Sequence, residues 1–299
     1  MSLAPRAVLV HRVTEYEELI ARHGTHGHAA FFLGSRGRDI DEVAGRHRRT
    51  RRALADVAAA VPLRWRQTRV ERADLDRFLF APQDVVVVVG QDGLVANAAK
   101  YLTGQPVLGI DAEPGRNPGV LVRHRPADAA KLLPHAAAGA AGAEELTMVE
   151  AVTDDGQCLR ALNEIYVGAA GHQTARYRLS SGAGQDAAEA QASSGVLVGT
   201  GTGATGWLRS LWGQGDGGLR LPAPREARLL WFVREAWPSP ATGTSLVRGE
   251  LTGDQRLWLT AESDRLVAFG DGMEGDAVGI GWGQSVRVGV SGVALRLVG

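Results

Sequence analysis

The first half of the chain alternates between short apolar runs and longer helix-forming segments. The clearest run is Val85–Val89, which is uninterrupted, β-branched and followed by Gly90. This pattern is typical of a strand that is buried on both faces of a parallel sheet. Comparable runs predict further strands at Ala7–Val10 and Pro106–Ile110. Helix-forming composition predicts helices at Arg38–Ala60, Leu94–Leu102 and Ala127–Leu133. This order predicts an α/β N-terminal domain with a Rossmann-like, mostly parallel sheet.

The second half has a different pattern, in which short apolar runs alternate with Gly, Asp and Ser turns. Val286, Val288 and Val290 alternate with polar or small residues, which is the period of a half-buried strand. The run Leu159–Val167 is predicted to form one strand, and Gly182–Ser194 an exposed loop. We therefore predict a β-rich, sandwich-like C-terminal domain.

A small-residue segment, Pro134–Ala143, is the predicted linker between these two parts. The expected domains are residues 1–143 and residues 144–299, and about the last 20 residues are expected to pack back on the first domain. Ahead of the valine run, Pro62–Val70 is predicted to be extended and anchored by the side chains of Leu63, Trp65 and Val70.

Composition narrows the class of protein. The 299 residues include 33 basic and 33 acidic side chains, so no long-range field favours nucleic acid or an anionic membrane. Cys158 is the only cysteine, which excludes an internal disulfide and fits a reducing compartment; it is expected to be a core or packing residue. No apolar run approaches the ~18 residues of a membrane span. We expect a cytoplasmic enzyme.

Asp92 is the strongest catalytic candidate. It lies in Gly90-Gln91-Asp92-Gly93, between the valine strand and the predicted helix. Open α/β sheets bind their ligands at the carboxyl ends of such strands. An acid in a glycine turn that phosphates can approach indicates phosphoryl transfer, although Asp-Gly is also a common turn dipeptide.

Two further segments carry polar groups beside apolar runs. Asn163 and Glu164 interrupt an apolar stretch and must find partners or face a cleft, because burying unpaired polar groups is costly. A carboxylate there can accept hydrogen bonds from both hydroxyls of a ribose; a strand end or bulge is the alternative. The segment 201–206 matches the glycine fingerprint of dinucleotide-binding loops, but only a short helix can follow it.

The remaining charged clusters have ordinary structural explanations. Asp271, Glu274 and Asp276 are expected in a solvated hairpin turn. His23, His26 and His28 are expected in a loop without the additional ligands that a zinc site needs. Five arginines of the predicted long helix are expected to form a solvated face, with phosphate binding as the alternative: Arg46, Arg48, Arg49, Arg51 and Arg52.

Taken together, these segments resemble the NAD kinases. That family combines a Gly-Gly-Asp-Gly turn, an Asn-Asp or Asn-Glu pair and a Thr-Gly-Ser-Thr-Ala-Tyr type loop. This chain has Gly90-Gln91-Asp92-Gly93, Asn163-Glu164 and Thr202-Gly203-Ala204-Thr205-Gly206-Trp207 in the same order. The segments Val13–Leu19 and Pro106–Gly115 are also similar, the former to the mitochondrial-type branch. The resemblance spans nearly the whole chain.

The resemblance implies a function and a role for each matched residue. It implies that Asp92 is the general base that accepts a proton when the γ-phosphoryl of ATP is transferred to the 2′-hydroxyl of the adenosine ribose of NAD, giving NADP, with Mg²⁺ as cofactor. It implies that Asn163 and Glu164 bind the ribose and adenosine portion. Other implied nucleotide-binding positions are Gly90, Gln91, Gly93, Thr202, Gly203 and Thr205. It also implies a homodimer.

Three positions differ from the family pattern. Gln91 replaces a glycine, Leu94 replaces a threonine and Gly206 replaces an alanine. These differences leave two alternatives to NAD kinase activity. One is a kinase of the same fold that acts on another nucleoside or ribosyl hydroxyl. The other is a catalytically silent NAD-binding protein. A lipid kinase shares the glycine-aspartate turn, but the Asn163-Glu164 pair argues against it.

Overall fold

The computed structural model describes residues 4–115, 119–139, 142–182, 188–214 and 218–299. The chain divides into two compact units. The first runs to Glu144 and also includes Arg296–Gly299, and the second comprises Glu145–Leu295. In the described ranges, no helix combines the length and apolarity that a membrane crossing requires.

The first unit is an α/β structure built on one sheet. Its strands and helices, in chain order, are β1 (Arg6–His11), α1 (Glu15–His23), α2 (His26–Gly34), α3 (Ile40–Ala60), β2 (Arg66–Glu71), β3 (Asp84–Gly90), α4 (Asp92–Ala99), β4 (Pro106–Asp111), α5 (Ala129–Ala137) and β5 (Ala143–Leu146). The last strand of the chain, β18 (Leu295–Val298), completes the order β2-β1-β3-β4-β18-β5.

The parallel part of this sheet positions the aspartate turn. Strands β1, β2, β3 and β4 pair in parallel, so their carboxyl ends lie at one edge. Val85–Val89 are buried, with Val85, Val87 and Val89 facing the side that α3 and α5 cover. The two-sided burial of β3 confirms the interpretation of the valine run.

The second unit is a β-sandwich. Its elements are β6 (Val149–Thr153), β7 (Cys158–Ala161), β8 (Glu164–Ala169), β9 (Ala175–Gly182), β10 (Glu189–Ser193), β11 (Val196–Gly199), α6 (Trp207–Gly213), β12 (Arg228–Val233), β13 (Arg248–Thr252), β14 (Arg256–Ala261), β15 (Arg265–Gly270), β16 (Met273–Gly281) and β17 (Ser285–Val290). The two sheets have the orders β10-β9-β14-β17-β6-β7 and β13-β12-β11-β8-β15-β16.

The two sheets of this unit share one apolar core. Alternate residues of each strand point into it, and Tyr177 is the largest fully buried side chain there. Helix α6 covers the opposite face of the second sheet, where Leu208 packs on Leu197 and Leu230. The α/β part and the β-rich part predicted from the sequence are both present.

Several local expectations are wrong. Leu63 is fully exposed, because residues 62–65 form a turn ahead of β2, whereas Trp65 and Val70 are buried as expected. The predicted linker begins inside α5, since its alanine-rich composition favours continuation of the helix past Pro134. Residues 140 and 141 of that segment lie outside the described residues.

The expectations for the second unit also need correction. Leu159–Val167 forms two strands in different sheets, because the chain turns a corner at Leu162 and Asn163. The expected loop Gly182–Ser194 contains β10, which pairs with β9 along its whole length; residues 183–187 lie outside the described residues. Cys158 is an exposed thiol and not a core residue.

Candidate functional site

The first group of candidate residues lies at the carboxyl edge of the parallel sheet. Gly90 ends β3, Gln91 is the N-cap of α4, and Asp92 and Gly93 form the first turn of that helix. The helix therefore begins earlier than the predicted Leu94. Its first turn carries the carboxylate of Asp92, which the positive end of the helix dipole stabilises.

The Asp92 carboxylate is held by backbone amides. Its Oδ2 accepts a hydrogen bond from the amide of Val120 at 2.7 Å, and its Oδ1 accepts from the amides of Leu121 and Val122, each at 2.9 Å. The segment that donates them runs beside β4, and its close approach requires Gly109, where a Cβ would lie 2.1 Å from the Leu121 carbonyl oxygen. The carboxylate is thus fixed in one orientation.

This arrangement limits what Asp92 can do chemically. A carboxylate offers about four acceptor positions, two on each oxygen. The three amides occupy both positions of Oδ1 and one of Oδ2, so the contacts of the described residues leave one position of Oδ2 for another donor. The structure therefore permits Asp92 to accept one hydroxyl proton, from one direction.

The two residues that depart from the family turn fit without strain. Gln91 has an extended backbone (φ −123°, ψ 165°), which any residue can adopt, and its side chain is exposed and makes no capping hydrogen bond. Leu94 is buried, and its Cδ2 would lie 3.1 Å from a Cβ at Gly90, so the leucine packs over that glycine.

The second group lies at the corner between β7 and β8 of the β-sandwich. Asn163 precedes β8 and Glu164 is its first residue. The alternative interpretation of this pair, a strand end, is therefore correct. It does not remove the functional interpretation, because neither side chain forms a hydrogen bond or ion pair with the residues that the structure describes.

Asp271 fixes this corner. Its Oδ2 accepts from the amide of Leu162 at 2.7 Å, and its Oδ1 accepts from the amides of Asn163 at 2.7 Å and Glu164 at 3.4 Å. Asp271 and Gly272 have φ values of 53° and 65°, the two positive values that a type I′ hairpin turn between β15 and β16 requires. The predicted hairpin is present, but Asp271 is a structural anchor and not a solvated side chain.

The Glu164 carboxyl is electrostatically unusual. Burial raises its pKa, and the nearby negative charge of Asp271 raises it further, to about 7. It is therefore close to half ionised at neutral pH, in contrast to an ordinary glutamate. A carboxyl of this kind, partly buried and unpaired within the described segments, is suited to receive hydrogen bonds from a ligand.

The glycine and threonine loop packs against the same corner. Thr200 Oγ1 donates to the carbonyl oxygen of Leu162 at 2.6 Å and accepts from the amides of Thr202 and Gly203 at 3.1 and 3.3 Å. A Cβ at Gly203 would lie 2.4 Å from the Asn163 carbonyl oxygen, so this position requires glycine. The sequence interpretation omitted Thr200, which links the loop to the corner.

Two threonine hydroxyls of the loop have different environments. Thr202 Oγ1 is buried and has no hydrogen-bond partner within the described part of the chain. Thr205 Oγ1 donates to the Thr202 carbonyl oxygen at 3.4 Å, and its residue is exposed. An unsatisfied buried hydroxyl is costly unless a ligand or water completes it. The structure thus brings together Asn163, Glu164, Thr202 and Gly203, all in the second unit.

The other candidates have structural explanations. His23 lies at the end of α1, and His26 and His28 lie in α2, so they belong to helices and not to the expected loop. Within the described segments, no three His, Cys, Asp or Glu side chains gather as a metal site would require. Most of the arginines on α3 form ion pairs, as in Arg46–Glu15, Arg49–Glu113, Arg51–Glu17 and Arg52–Asp56.

The carboxylates of the candidate residues decide whether the protein alone could hold the expected Mg²⁺. Proteins usually hold Mg²⁺ through one or two carboxylates together with substrate phosphates. Asp92 and Asp271 already accept three amide hydrogen bonds each, so the candidate residues form no protein-only cage for a cation.

No protein-family profile and no curated protein matches the chain. A solved structure does match: the crystal structure of yeast NADH kinase complexed with NADH. It has a TM-score of 0.63 and 13% sequence identity, over 99% of this chain and 83% of that chain. The chain therefore has an NAD kinase-like fold, with an α/β part that contains a parallel sheet and a β-rich part.

Proposed function

We propose that the chain is an NAD(H) kinase-type phosphotransferase. It would transfer the γ-phosphoryl of ATP, supplied with Mg²⁺, to the 2′-hydroxyl of the adenosine ribose of NAD or NADH. The observation that carries this proposal is the Glu164 carboxylate, which has no hydrogen-bond or ion-pair partner among the described residues although its backbone is fixed at a corner by Asp271. The NAD kinase-like fold supports it.

The second unit would supply dinucleotide binding. The Glu164 carboxylate accepts hydrogen bonds from ribose hydroxyls, and the Asn163 amide offers both donors and an acceptor to the adenosine portion. The buried hydroxyl of Thr202 gains a partner when a ligand occupies the loop. Gly203 keeps the loop backbone against the corner, and Thr205 lines its exposed side.

The first unit would supply proton transfer and phosphate binding. The substrate oxygen forms a bond to the γ-phosphorus, the bond from that phosphorus to the leaving ADP oxygen breaks, and the hydroxyl proton moves to Oδ2 of Asp92. Such transfers depend mostly on positioning and charge stabilisation. The amides at the start of α4, in Gly90-Gln91-Asp92-Gly93, face the direction from which phosphate oxygens bind helix N-termini.

A second candidate, a catalytically silent dinucleotide-binding protein, is favoured by one observation. Three backbone amides already occupy most of the acceptor positions of the Asp92 carboxylate, which is the arrangement expected of a structural anchor. Under this alternative, Asp92 holds the segment from Val120 to Val122 in place and transfers no proton.

The deciding experiment is an acceptor comparison on the purified chain. The protein is incubated with ATP and Mg²⁺ and with NAD, NADH or adenosine in parallel, and 2′-phosphorylated product is measured by mass. NADP or NADPH formation supports the proposal, and turnover of adenosine alone indicates the same-fold kinase with another acceptor. No product, combined with a rise of the thermal midpoint in NAD, supports the silent binding protein.

Four associated expectations remain proposals: ATP as the phosphoryl donor, the homodimer, the cytoplasmic location and the similarity to the mitochondrial-type branch. Polyphosphate in place of ATP tests the phosphoryl donor in the same assay. Sedimentation tests the expected homodimer, and fractionation of cells tests the expected cytoplasmic location. The similarity of the segment from Val13 to Leu19 to the mitochondrial-type branch is likewise a prediction from the sequence.

A further inference from the structure

A second concave site lies on the outer face of the β14-β17-β6 part of the sandwich. Alternation along these strands sends Leu257, Leu259, Val286 and Val288 into the core and the intervening residues outward. The outward residues of the three strands, together with Asp254 before β14 and Val290 at the end of β17, surround a hollow of about 300 Å³. Its lining residues are Glu150, Val152, Asp254, Arg256, Trp258, Arg287 and Val290. None of these residues belongs to the phosphotransfer site proposed above.

Strand register builds the hollow. Trp258 on β14 pairs with Arg287 on β17, which pairs with Val152 on β6. In the neighbouring row, Gly289 pairs with Glu150. Gly289 has no side chain, and a Cβ there would lie 2.4 Å from Cδ of Arg256. The glycine therefore lowers the sheet surface and allows the arginine to lie across it.

The hollow has hydrogen-bond donors without acceptors. Within the described ranges, Arg256 donates to two carbonyl oxygens, those of Gly253 and Gln255, at 3.2 and 2.8 Å. Neither Arg256 nor Arg287 pairs with a carboxylate of the described residues. The indole Nε1–H of Trp258 is enclosed and lacks a partner there. A buried donor without an acceptor is unfavourable and calls for a ligand or water.

The acidic residues of the hollow do not neutralise these donors. The Glu150 carboxylate forms an ion pair with Arg160 at 2.9 Å and accepts from Ser291, so its charge is already balanced. Asp254 is exposed and carries the remaining negative charge against two arginines. The hollow therefore has a net positive charge, and most of its accessible surface is polar.

We propose that this hollow binds a small molecule through an oxyanion, either a carboxylate or a phosphate. Guanidinium groups match both oxyanions with paired N–H donors. A volume of about 300 Å³ is at the lower end for small-molecule pockets, so the ligand is a compact metabolite.

Nuclear magnetic resonance of the tryptophan indole N–H groups tests whether the hollow binds an oxyanion. The chain has seven tryptophans, so the spectrum contains few indole signals and the one from Trp258 can be followed. The variant Trp258→Phe identifies the Trp258 Nε1–H resonance by its loss. Inorganic phosphate and citrate are then titrated separately into the full chain, without nucleotides, at an ionic strength held constant with sodium chloride. We expect a saturable shift of the Trp258 resonance, and the more effective of the two anions identifies the oxyanion class.

Two variants make the test specific. Arg287→Gln removes an exposed guanidinium of the hollow and should weaken binding at least tenfold, as loss of a charge-assisted hydrogen bond does. Arg265→Gln, at an exposed position in the other sheet, is the matched control and should leave the affinity unchanged. The proposal is overturned if neither anion gives a saturable shift, if sodium chloride alone gives the same shift, or if Arg287→Gln binds like the parent. A resonance that responds to protein dilution without anion assigns the hollow to a second copy and also overturns the proposal.

Discussion

Replacing Glu164 by glutamine should stabilise the protein and weaken its ligand binding at the same time. The side chain is partly buried beside Asp271, and its pKa is raised from 4.5 to about 7. Glutamine has nearly the same shape and no charge. It therefore removes the unfavourable burial of a carboxylate, together with the group that would accept hydrogen bonds from ribose hydroxyls.

The magnitude follows from the pKa. Each unit of pKa shift corresponds to about 1.4 kcal/mol, so this shift corresponds to about 3 kcal/mol, and partial solvent access reduces it to about 1–3 kcal/mol. The sign is set by proton binding. Below pH ~4.5 the carboxyl is protonated in both folded and unfolded states; as the pH rises through about 7 the folded state loses its proton and the parent loses stability.

The assay compares the free energy of unfolding of parent and Glu164→Gln at pH 5 and pH 8. We expect a small difference at pH 5 and a stabilisation by about 1–3 kcal/mol at pH 8. NAD affinity should fall about 10- to 100-fold, as for a lost hydrogen bond to a charged group. Glu274→Gln, an exposed carboxylate on β16, is the control and should change neither quantity. Equal stability of the two proteins at pH 8 would refute the assigned environment of Glu164.

Three further substitutions test the contacts around the site. Asp92→Asn should lower turnover by about 10²- to 10⁴-fold and also destabilise the first unit by about 2–4 kcal/mol in chemical denaturation, because a carboxamide cannot accept from all three amides. Asp271→Asn should lower the pKa of Glu164, measured by carbon NMR titration, and raise the KM for the dinucleotide more than it lowers kcat; an unchanged Glu164 titration would contradict the assigned cause. Gly203→Ala should weaken dinucleotide binding, measured by calorimetry, because the added Cβ would lie 2.4 Å from the carbonyl oxygen of Asn163. Gly213→Ala is the control in the same measurement, because no atom lies within 4 Å of its added Cβ.

Local sequence patterns predicted the elements that depend on side-chain period and composition within a short stretch of chain. The valine run β3 and the helix after it follow from side-chain period and composition, and they place Asp92 at the sheet edge. The helix begins two residues earlier than expected, because Gln91 acts as N-cap without a side-chain hydrogen bond. Residue preferences at caps did not indicate that start.

The long-range contacts could not be predicted in this way. Asp271 contacts the amide of Leu162 across 109 residues of sequence, and its Asp-Gly pair looked like any solvated hairpin turn. The same contact breaks the run from Leu159 to Val167 into two strands. The raised pKa of Glu164 likewise depends on tertiary burial and on a neighbour distant in sequence.

Asp92 and Asp271 share one structural device with different chemical consequences. Each carboxylate accepts from the amides of three consecutive residues, 120–122 for Asp92 and 162–164 for Asp271. At the corner between β7 and β8, two different carboxyl groups have these roles. Asp271 holds the backbone, and Glu164 is the carboxyl that a ligand can contact. Near Asp92, the next acid along the chain is Asp111, which accepts from the amide of Glu113, and Glu113 pairs with Arg49. Under the proposed function, Asp92 would therefore both hold the backbone and accept the proton, at the one acceptor position of Oδ2 that the described amides leave.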